Sequence, residues 1–440
     1  MKPIKILSAT IIAVLLSACS ESKVDDSAQQ SKVDDSAQLG PNPELPEVQR
    51  GLLPTLKIAD PAGWGDRRPI VPSGYEIKAI ATDLQIPRQT LVLPNGDILV
   101  AEGRGGNASK QRPKDFIAGY FKSKGTTSVK SGNRLTLLRD SDNDGTYERR
   151  TVFAKNLNAP YGLALIKDQL YVANQDAVVQ FDYQPGQTEA SGPPRQLTVL
   201  PSEVNHHWTK SMTASPDGRL LYVGIGSNSN ITENGLNVEE NRARIWEIDA
   251  KSGAHRAYAT GLRNPTALDI LPGTDQLWAV VNERDELGSR LVPDYLASVR
   301  DGAFYGWPYS YWGQHVDSRV KPQQPDMVAA AIAPDYSLGS HKAPLGLSFS
   351  TATMGGKFTE GAFIGEHGSW NRSDPAGYKV GFVPFSNGKP AGDPVDFVTG
   401  FQSEDGKTFG RPVGVTVDPK GALIVADDLS NTVWRVTPTR

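Results

Sequence analysis

The chain has a single cysteine, Cys19, among its 440 residues, and this scarcity excludes several kinds of chemistry. Beyond that position no disulfide, thiolate zinc site or cysteine nucleophile can form. The sequence also lacks a Gly-x-Ser-x-Gly elbow, a P-loop, a His-Glu-x-x-His pair and a dinucleotide-binding fingerprint. Serine hydrolases, nucleotide-dependent enzymes and the common zinc proteases therefore lose support.

Neither sign of charge dominates the composition. Lys and Arg number 46 against 49 Asp and Glu, so the net charge is −3. This balance argues against a nucleic-acid-binding protein that relies on a broad basic surface. Hydrophobic residues make up 38% of the chain, enough for a sizeable core, whereas 43 glycines and 32 prolines disfavour long helices. Any cationic site must therefore be local.

The N-terminal 19 residues have the features of a lipoprotein signal peptide. Ile6–Ala18 is nearly all apolar and follows two lysines, but its 13 residues are fewer than the roughly 20 that span a bilayer as a helix. Leu16–Cys19 (LSAC) resembles the bacterial lipobox, in which the cysteine becomes the lipidated first residue of the mature protein. Because Ser20 follows, rather than an aspartate, we expect a periplasmic protein anchored through Cys19 to the outer membrane. The alternative is a cleaved peptide with an incidental cysteine.

A polar tether is expected after the cysteine. Ser22–Gln29 and Ser31–Gln38 both read SKVDDSAQ, a tandem duplication that offers no apolar stripe to bury. The following residues stay rich in proline and aperiodic. We predict a disordered tether over residues 20–55 and one folded domain over residues 56–440.

Two short apolar strands around a turn recur six times along the chain. Asn95-Gly96, Asp217-Gly218 and Lys420-Gly421 lie in such turns between alternating apolar residues, which indicates β-hairpins. The hairpins begin about 50–80 residues apart, which leaves room for a four-stranded sheet and its loops. The six segments are Gln89–Glu102, Tyr161–Asn174, Ser211–Gly224, Thr266–Asn282, Leu345–Glu366 and Val413–Asp427.

These repeats predict an all-β fold, a six-bladed β-propeller. Radial closure protects the edges of the sheets without disulfides, which suits this chain. Further strands are expected between the hairpins, at Arg134–Leu138, Arg244–Ile248 and Lys379–Val383. The alternative is a pair of β-sandwiches in which the hairpins recur by chance.

In a propeller the innermost strand of each blade lines the central axis, so the residues just before these strands meet on one face. Five of the six segments at these positions carry a cation. On a chain of net charge −3 this local excess predicts an anionic ligand, because arginine matches carboxylates bidentately. Solvated loop charges are the alternative. The residues are Arg88 and Gln89, Asn158 and Tyr161, His207 and Lys210, Arg263 and Asn264, His341 and Lys342, and Arg411.

His207 is the candidate general base. It lies in the segment Asn205–Trp208 (NHHW), and because neighbouring strand residues alternate faces, at most one of His206 and His207 points to the axis. The spacing from the turn at Ser215–Gly218 favours His207. An imidazole with a pKa of about 6.5 can accept a proton at neutral pH. A structural histidine is the alternative.

An acidic turn is the candidate calcium site. The stretch Asp140–Gly145 (DSDNDG), followed by Glu148, places carboxylates at alternate positions with a glycine for the turn, which suits Ca²⁺. The twelfth position of an EF-hand loop would be Thr151 rather than glutamate. We therefore expect a calcium-bound β-turn, not a helix–loop–helix hand, with a solvated acidic turn as the alternative. The expected ligands are Asp140, Asp142, Asp144 and Glu148.

Taken together, six motifs resemble the quinoprotein glucose/sorbosone dehydrogenases, a family that includes soluble aldose sugar dehydrogenases dependent on pyrroloquinoline quinone (PQQ). The likeness runs from about Gly74 to Arg440, and the sorbosone branch looks closer than the glucose branch. The motifs are His207 ahead of Ser215–Gly218, Gly261–Pro265, Asn282–Gly288, Phe304–Tyr309, Gly368–Arg372 and Gly410–Pro412.

The resemblance implies a propeller dehydrogenase that holds PQQ, a tricarboxylate o-quinone, together with a Ca²⁺ that polarises the quinone. It implies that His207 takes the hydroxyl proton of a sugar or hydrated aldehyde while hydride passes to PQQ. Arg263, also assigned to catalysis, and Asn264 would contact the quinone, and backbone carbonyls near Glu283 and Arg284 would bind the catalytic Ca²⁺. The residues expected around PQQ are Arg88, Lys210, Arg263, Asn264, Arg372, Lys379 and Arg411.

The sequence departs from that family at the mouth of the expected site. His206 stands where the glucose-oxidising branch has an acidic residue, and Trp208–Lys210 (WTK) replaces the small glycines of many relatives. The chain has no Cys-x-x-Cys-His haem motif, so electrons would leave through a separate partner.

Three functional hypotheses remain at this point. The first is a lipid-anchored periplasmic dehydrogenase that oxidises an aldose or sugar-derived aldehyde with PQQ and Ca²⁺. The second is a calcium-dependent propeller hydrolase of the lactonase type, for which Asn158, Asn264 and Asp269 could surround an axial metal. The third is a binding propeller without catalysis.

Overall fold

A computed structural model describes residues 35–49, 56–106 and 124–439. The predicted signal peptide, Cys19 with its predicted lipidation, and the predicted tether residues 20–34 and 50–55 lie outside this range. Among the described residues, no helix is both long and apolar enough to cross a membrane.

Six antiparallel sheets, each with a four-stranded core, form the blades of the propeller. From the axis outward, blade 1 contains Pro87–Val92, Ile98–Glu102, Arg134–Arg139 and Arg149–Ala154; blade 2 contains Gly162–Ile166, Gln169–Ala173, Ala177–Asp182 and Arg195–Val199; and blade 3 contains Lys210–Ala214, Leu220–Ile225, Arg244–Asp249 and His255–Thr260. Blade 4 contains Pro265–Ile270, Leu277–Val281, Pro293–Ser298 and Tyr336–Ser340; blade 5 contains Pro344–Phe349, Gly361–Glu366, Lys379–Ser386 and Val395–Val398, with Lys389–Pro390 as a short addition; and blade 6 contains Pro412–Val417, Leu423–Asp427, Thr432–Pro438 and Tyr75–Ala81.

The N-terminal strand closes the ring. Tyr75–Ala81 pairs antiparallel with Thr432–Pro438 and so supplies the outer strand of blade 6. The inner strands of neighbouring blades contact each other around the whole ring. The all-β, six-bladed prediction is thus confirmed, and each predicted hairpin forms the two inner strands of one blade. The two-sandwich alternative is wrong.

Apolar side chains between adjacent blades stabilise the ring. Between blades 1 and 2, Leu99, Leu137, Phe153, Val172 and Phe181 are all at most 3% exposed and form one cluster. Burying one such Leu or Phe contributes roughly 1.5–3 kcal/mol. Both faces of most inner hairpins are buried, which explains fully buried runs such as Ile98–Glu102 in place of polar–apolar alternation.

Short strand pairs and helical turns lie outside the six blades. Asp60–Pro61 pairs in parallel with Lys407–Thr408, and Ser310–Tyr311 pairs with His315–Val316. The helical elements are short: an α-helix at Pro325–Ala330 and 3₁₀ turns at Ser36–Gln38, Leu236–Glu239 and Ala352–Met354.

The compact unit begins at Ala37, ahead of the predicted domain start at residue 56. Gly40 pairs with Ser337 of blade 4, and the Gln49 amide donates to the Leu287 carbonyl at 2.9 Å. Residues 37–49 therefore contact the propeller, although the sequence assigns them to the tether.

Side chains block the central channel. The Tyr161 hydroxyl of blade 2 donates to the Leu345 carbonyl of blade 5 at 3.1 Å, and both residues pack with Val413 of blade 6. A cavity of about 120 Å³ lies along the inner strands and includes Asp269, whose pKa is raised by burial to about 6. Ligands must therefore approach from a face of the ring rather than pass through it.

Candidate active site

The inner strands all start at the same face of the ring, which we call the axial face. Contacts between neighbouring segments link its predicted residues. Arg88 lies over the rings of Tyr161 and Trp208, at 5.8 and 5.0 Å from their centroids. The His207 segment adjoins Asn264 through Gly226. The structure thus brings blades 1, 2, 3 and 4 together around His207.

His207 is held with one ring nitrogen engaged. Its Nδ1 lies 2.7 Å from the Ser227 carbonyl oxygen, which can only accept, so Nδ1 carries the proton. In the described part of the chain, Nε2 has no hydrogen-bond partner. Burial, reinforced by Arg263 and His206, holds the pKa of His207 well below its usual value. At neutral pH the imidazole is uncharged, and Nε2 offers a lone pair.

Gly226 permits this arrangement. A Cβ atom at position 226 would lie 2.6 Å from His207 Cβ and closer still to Asn264 Oδ1. Side chains at this spacing must move apart, so Gly226 lets the strand end pass between His207 and Asn264.

We therefore expect Gly226→Ala to lower turnover and to cost about 1–3 kcal/mol of stability, because a methyl group overfills the site. Chemical denaturation and initial rates measure the two effects. Gly192→Ala is the matched control, since its added Cβ would meet nothing within 4 Å. Equal behaviour of the two variants would remove Gly226 from this role.

Arg263 joins two loops of the axial face. Its guanidinium is 3% exposed and donates to the Asn230 carbonyl at 3.0 Å, to Asn230 Oδ1 at 3.0 Å and to the Glu283 carbonyl at 2.7 Å. Asp285 Oδ2 lies 3.6 Å away. The Arg263 side chain is thus largely engaged in positioning these loops.

The predicted metal ligands Glu283 and Arg284 form a buried ion pair. Arg284 Nε donates to Glu283 Oε2 at 2.9 Å, and its Nη1 lies 3.2 Å from Asp317. The Glu283 carbonyl accepts from Arg263. The guanidinium of Arg263 at the Glu283 carbonyl and that of Arg284 at the Glu283 carboxylate disfavour a divalent cation. The described residues therefore do not fit the catalytic Ca²⁺ expected there.

A second histidine lies in a charged network that sequence reasoning missed. His367 Nε2 donates to Asp428 Oδ1 at 2.8 Å, and Asp428 Oδ2 forms an ion pair with Arg88. Arg411 donates to the carbonyls of His367 and Gly368, at 2.9 and 2.8 Å. Burial and Arg411 lower the pKa of His367 to about 4. The contact with His367, which includes its hydrogen bond, and the charges of Arg88 and Arg411 hold the pKa of Asp428 below its usual value despite burial.

Other predicted cations have internal partners. Arg372, 1% exposed, donates to Asp374 and to the Ser340 carbonyl. Lys342 Nζ lies 3.8 Å from Glu366. His341 Nε2 donates to the Gly288 carbonyl at 3.0 Å.

Three further predicted residues also have partners within the protein. Lys379 begins the third strand of blade 5 and forms an ion pair with Asp396, which lies on the outer strand and is 57% exposed in its side chain. Lys379 is therefore not among the residues that the structure brings to His207. Asn158 donates to Asp176 at 2.7 Å, and Gln89 donates to the Leu345 carbonyl at 2.8 Å.

The acidic turn lies on the opposite face. It connects the third and fourth strands of blade 1, and Asn143 accepts from Lys420, which lies in the first turn of blade 6. One carboxylate oxygen from each of four side chains falls within 4.8 Å of the others, and together they could hold a cation. The four are Asp140, Asp142, Asp144 and Glu148. A calcium at this turn would be structural, remote from His207.

We expect Ca²⁺ to raise the melting temperature of the wild-type protein, because the ion offsets repulsion among the four carboxylates. The double variant Asp142→Ala/Asp144→Ala should lose this response. Asp405→Ala, which removes an exposed carboxylate from another turn, should retain it. A full calcium response in the double variant, measured by differential scanning calorimetry, would dismiss the site.

The fold and this face together define a six-bladed propeller with a cation-rich axial site around a neutral histidine. Residues 69–293 and 314–439 match the TrAA12-like family model, so the chain belongs to the TrAA12-like family.

Two solved structures share this fold. The calcium structure of the Trichoderma reesei carbohydrate-active enzyme of family AA12 is 20% identical, with a TM-score of 0.68, over 88% of this chain and 99% of that chain. The holo form of the pyranose dehydrogenase PQQ domain from Coprinopsis cinerea is 22% identical, with a TM-score of 0.67, over 84% of this chain and 97% of that chain.

The chain also resembles a curated protein whose name states an activity. The pyrroloquinoline quinone-dependent pyranose dehydrogenase of Coprinopsis cinerea is 22% identical over 325 residues, which cover 62% of this chain and 44% of that protein. The match thus spans less than half of that protein's length.

Proposed function

We propose that the protein is a sugar oxidoreductase that uses PQQ, with His207 as the general base. The observation that carries the proposal is His207 itself: its Nε2 has no partner in the described chain, and burial keeps the ring neutral beside several buried cations. A sugar-derived aldehyde of the sorbosone type is the narrower substrate that the sequence motifs favour. The relatives named above support the class of reaction.

The donor set of the axial face fits a tricarboxylate quinone. Arg88 Nε and Asn264 Oδ1 are buried and have no hydrogen-bond partner among the described residues, so each can bond to a ligand. Lys210 is fully buried without a described carboxylate within 4.0 Å, and burial, reinforced by Arg242, holds its pKa well below the usual value. Arg88 already pairs with Asp428, so its free Nε would add a hydrogen bond to an anionic ligand rather than supply the first partner of a lone charge.

In this proposal Arg88, Asn264 and Arg411 hold the cofactor, which when bound supplies an o-quinone that accepts hydride. His207 Nε2 takes the hydroxyl proton of the sugar, and the Ser227 carbonyl keeps Nδ1 protonated so that Nε2 remains the acceptor. Arg263 positions the two loops beside the site.

Calcium is proposed at the acidic turn rather than at Glu283 and Arg284. The electron acceptor is a separate partner, in keeping with the absence of a haem motif. Anchoring to the outer membrane through Cys19, facing the periplasm, remains our proposal for location. A Cys19→Ser variant that still incorporates labelled fatty acid would contradict it.

The experiment for the proposed function is reconstitution. Purified protein is loaded with PQQ in buffer containing Ca²⁺, and dye reduction is followed across aldoses and sugar-derived aldehydes. We expect turnover that requires PQQ and a sugar or aldehyde. Turnover absent with every substrate, or unchanged without PQQ, would reject the proposal.

The three residues considered for a lactonase metal site do not lie together. Asn158 bonds to Asp176, whereas Asn264 and Asp269 are five residues apart along extended chain, roughly 15 Å. No single metal ion can contact all three.

A further inference from the structure

A chain of side-chain amides supports the loop that carries His207. Asn205 Oδ1 accepts from Lys210 Nζ and from Arg242 Nη2, both at 3.1 Å. Asn205 Nδ2 donates to Gln175 Oε1 at 3.2 Å. Gln175 Nε2 donates in turn to Asn158 Oδ1 at 2.7 Å. In each of these amides the oxygen accepts and the nitrogen donates a hydrogen bond, so the orientation of the Asn205 side chain is fixed.

Arg242 makes the largest number of the hydrogen bonds that hold this loop. It is 3% exposed and donates to the carbonyls of Gly226, Pro201 and His207 at 2.9, 2.7 and 2.9 Å, besides its bond to Asn205. Thus one guanidinium ties the end of a blade 3 strand to both ends of the loop before His207. The planar fork of arginine suits several fixed acceptors at once.

Lys210 also holds the loop that carries His207. Its ammonium group is 0% exposed and donates to the Trp208 carbonyl at 3.1 Å as well as to Asn205. The carbonyls of two successive residues, His207 and Trp208, are therefore each held by a buried cation. Among the described residues, neither cation has a carboxylate within 4.0 Å.

We propose that Arg242 and Asn205, together with Lys210, are positioning residues for His207. Their hydrogen bonds fix the loop that carries His207, and the buried guanidinium of Arg242 adds a positive charge near the imidazole. The hydrogen bonds of this network are present without cofactor. The inference rests on the proposed function only where it assigns the network a part in catalysis.

The charges that face His207 come from several elements. Arg263 from the segment before blade 4, His206 from its own loop and Arg242 from blade 3 all lower the pKa of His207. Glu239 lies near Arg242, and burial raises its pKa to about 7, so it only partly offsets that charge at neutral pH. Removing Arg242 should therefore raise the pKa of His207.

The test is a histidine NMR titration of the full chain without cofactor, with His207→Gln used to assign the signal among the six histidines. In Arg242→Met we expect the His207 pKa to rise by about one unit, because a nearby positive charge is lost. Arg242→Lys keeps the charge and should keep the pKa, while PQQ-loaded turnover falls about tenfold because the fork is lost. Arg244→Met is the control: Arg244 bonds to the Arg242 carbonyl but not to the His207 loop, and no shift is expected.

Asn205→Asp covers the case in which Arg242→Met does not fold. Aspartate keeps the shape of asparagine, pairs with both cations and adds negative charge, so the His207 pKa should again rise. An unchanged His207 pKa in the folded variants, or an equal shift in Arg244→Met, would overturn the proposal. Full turnover of His207→Gln would instead refute the base role and leave the NMR result to decide the network.

Discussion

His207→Gln is expected to lower sugar-dependent dye reduction by at least about 100-fold. Glutamine has a similar reach and can donate to the Ser227 carbonyl, as Nδ1 does at 2.7 Å, but its amide cannot accept a proton. PQQ loading should be matched between variants by absorption before initial rates are compared. The loss should then appear in kcat.

His206→Gln is the control, because it changes the neighbouring ring and leaves Nε2 of His207 in place. The His206→Gln variant should lower the rate of dye reduction only modestly. In the wild type, burial depresses the pKa of His207, so the base form persists below the ordinary value of about 6.5 and activity should fall only in more acidic buffer. His207→Gln turning over within threefold of wild type would eliminate the base assignment.

Asp428→Asn is expected to destabilise the protein by about 3–5 kcal/mol. The carboxylate is buried between Arg88 and His367, and its removal leaves Arg88 charged and without its partner. Guanidinium or urea unfolding at pH 7 measures the change. Asp182→Asn is the control, because its pair with Arg195 is more than half exposed and should contribute little.

The pH dependence of this loss follows from the sign of the shift. Asp428 has a folded pKa below its usual value, so its stabilisation is present above about pH 4 and is lost as the pH falls toward the folded pKa. The difference between wild type and Asp428→Asn should therefore shrink in acid. A constant difference from pH 7 to pH 3 would show that Asp428 acts through packing and not through its charge.

The propeller could be predicted because its signals are local. Turn dipeptides such as Asp217-Gly218 fix hairpins within about 14 residues, and the spacing of the hairpins fixes their number. The closing strand Tyr75–Ala81 was not predicted, since its partner lies more than 350 residues away at Thr432–Pro438. Nothing in a short window marks such a pairing.

The site was predictable only in part, for a related reason. Residues ahead of inner strands converge through topology, and this placed His207 near Arg88 and Asn264. The partners of these side chains come from distant segments: Asp428 for Arg88, Asn230 for Arg263 and Arg242 for the His207 loop. Spacing identifies which residues reach a face, but it does not tell whether a cation binds a ligand or a carbonyl of its own chain.

Lys379 shows the same limit. The family resemblance places it beside the cofactor, yet it pairs with Asp396 on the outer strand. A signal existed in the strand order: Lys379 begins the third strand of its blade, away from the axis.

The proposed function requires an anionic quinone to bind among the axial cations. Titration of PQQ into the purified protein, followed by absorption, tests this most directly. We predict saturable binding of one PQQ per chain, weakened at least about tenfold in Arg88→Gln and unchanged in Lys379→Gln, whose side chain pairs outward. No saturable binding, or equal weakening by both substitutions, would contradict quinone binding at the axial face.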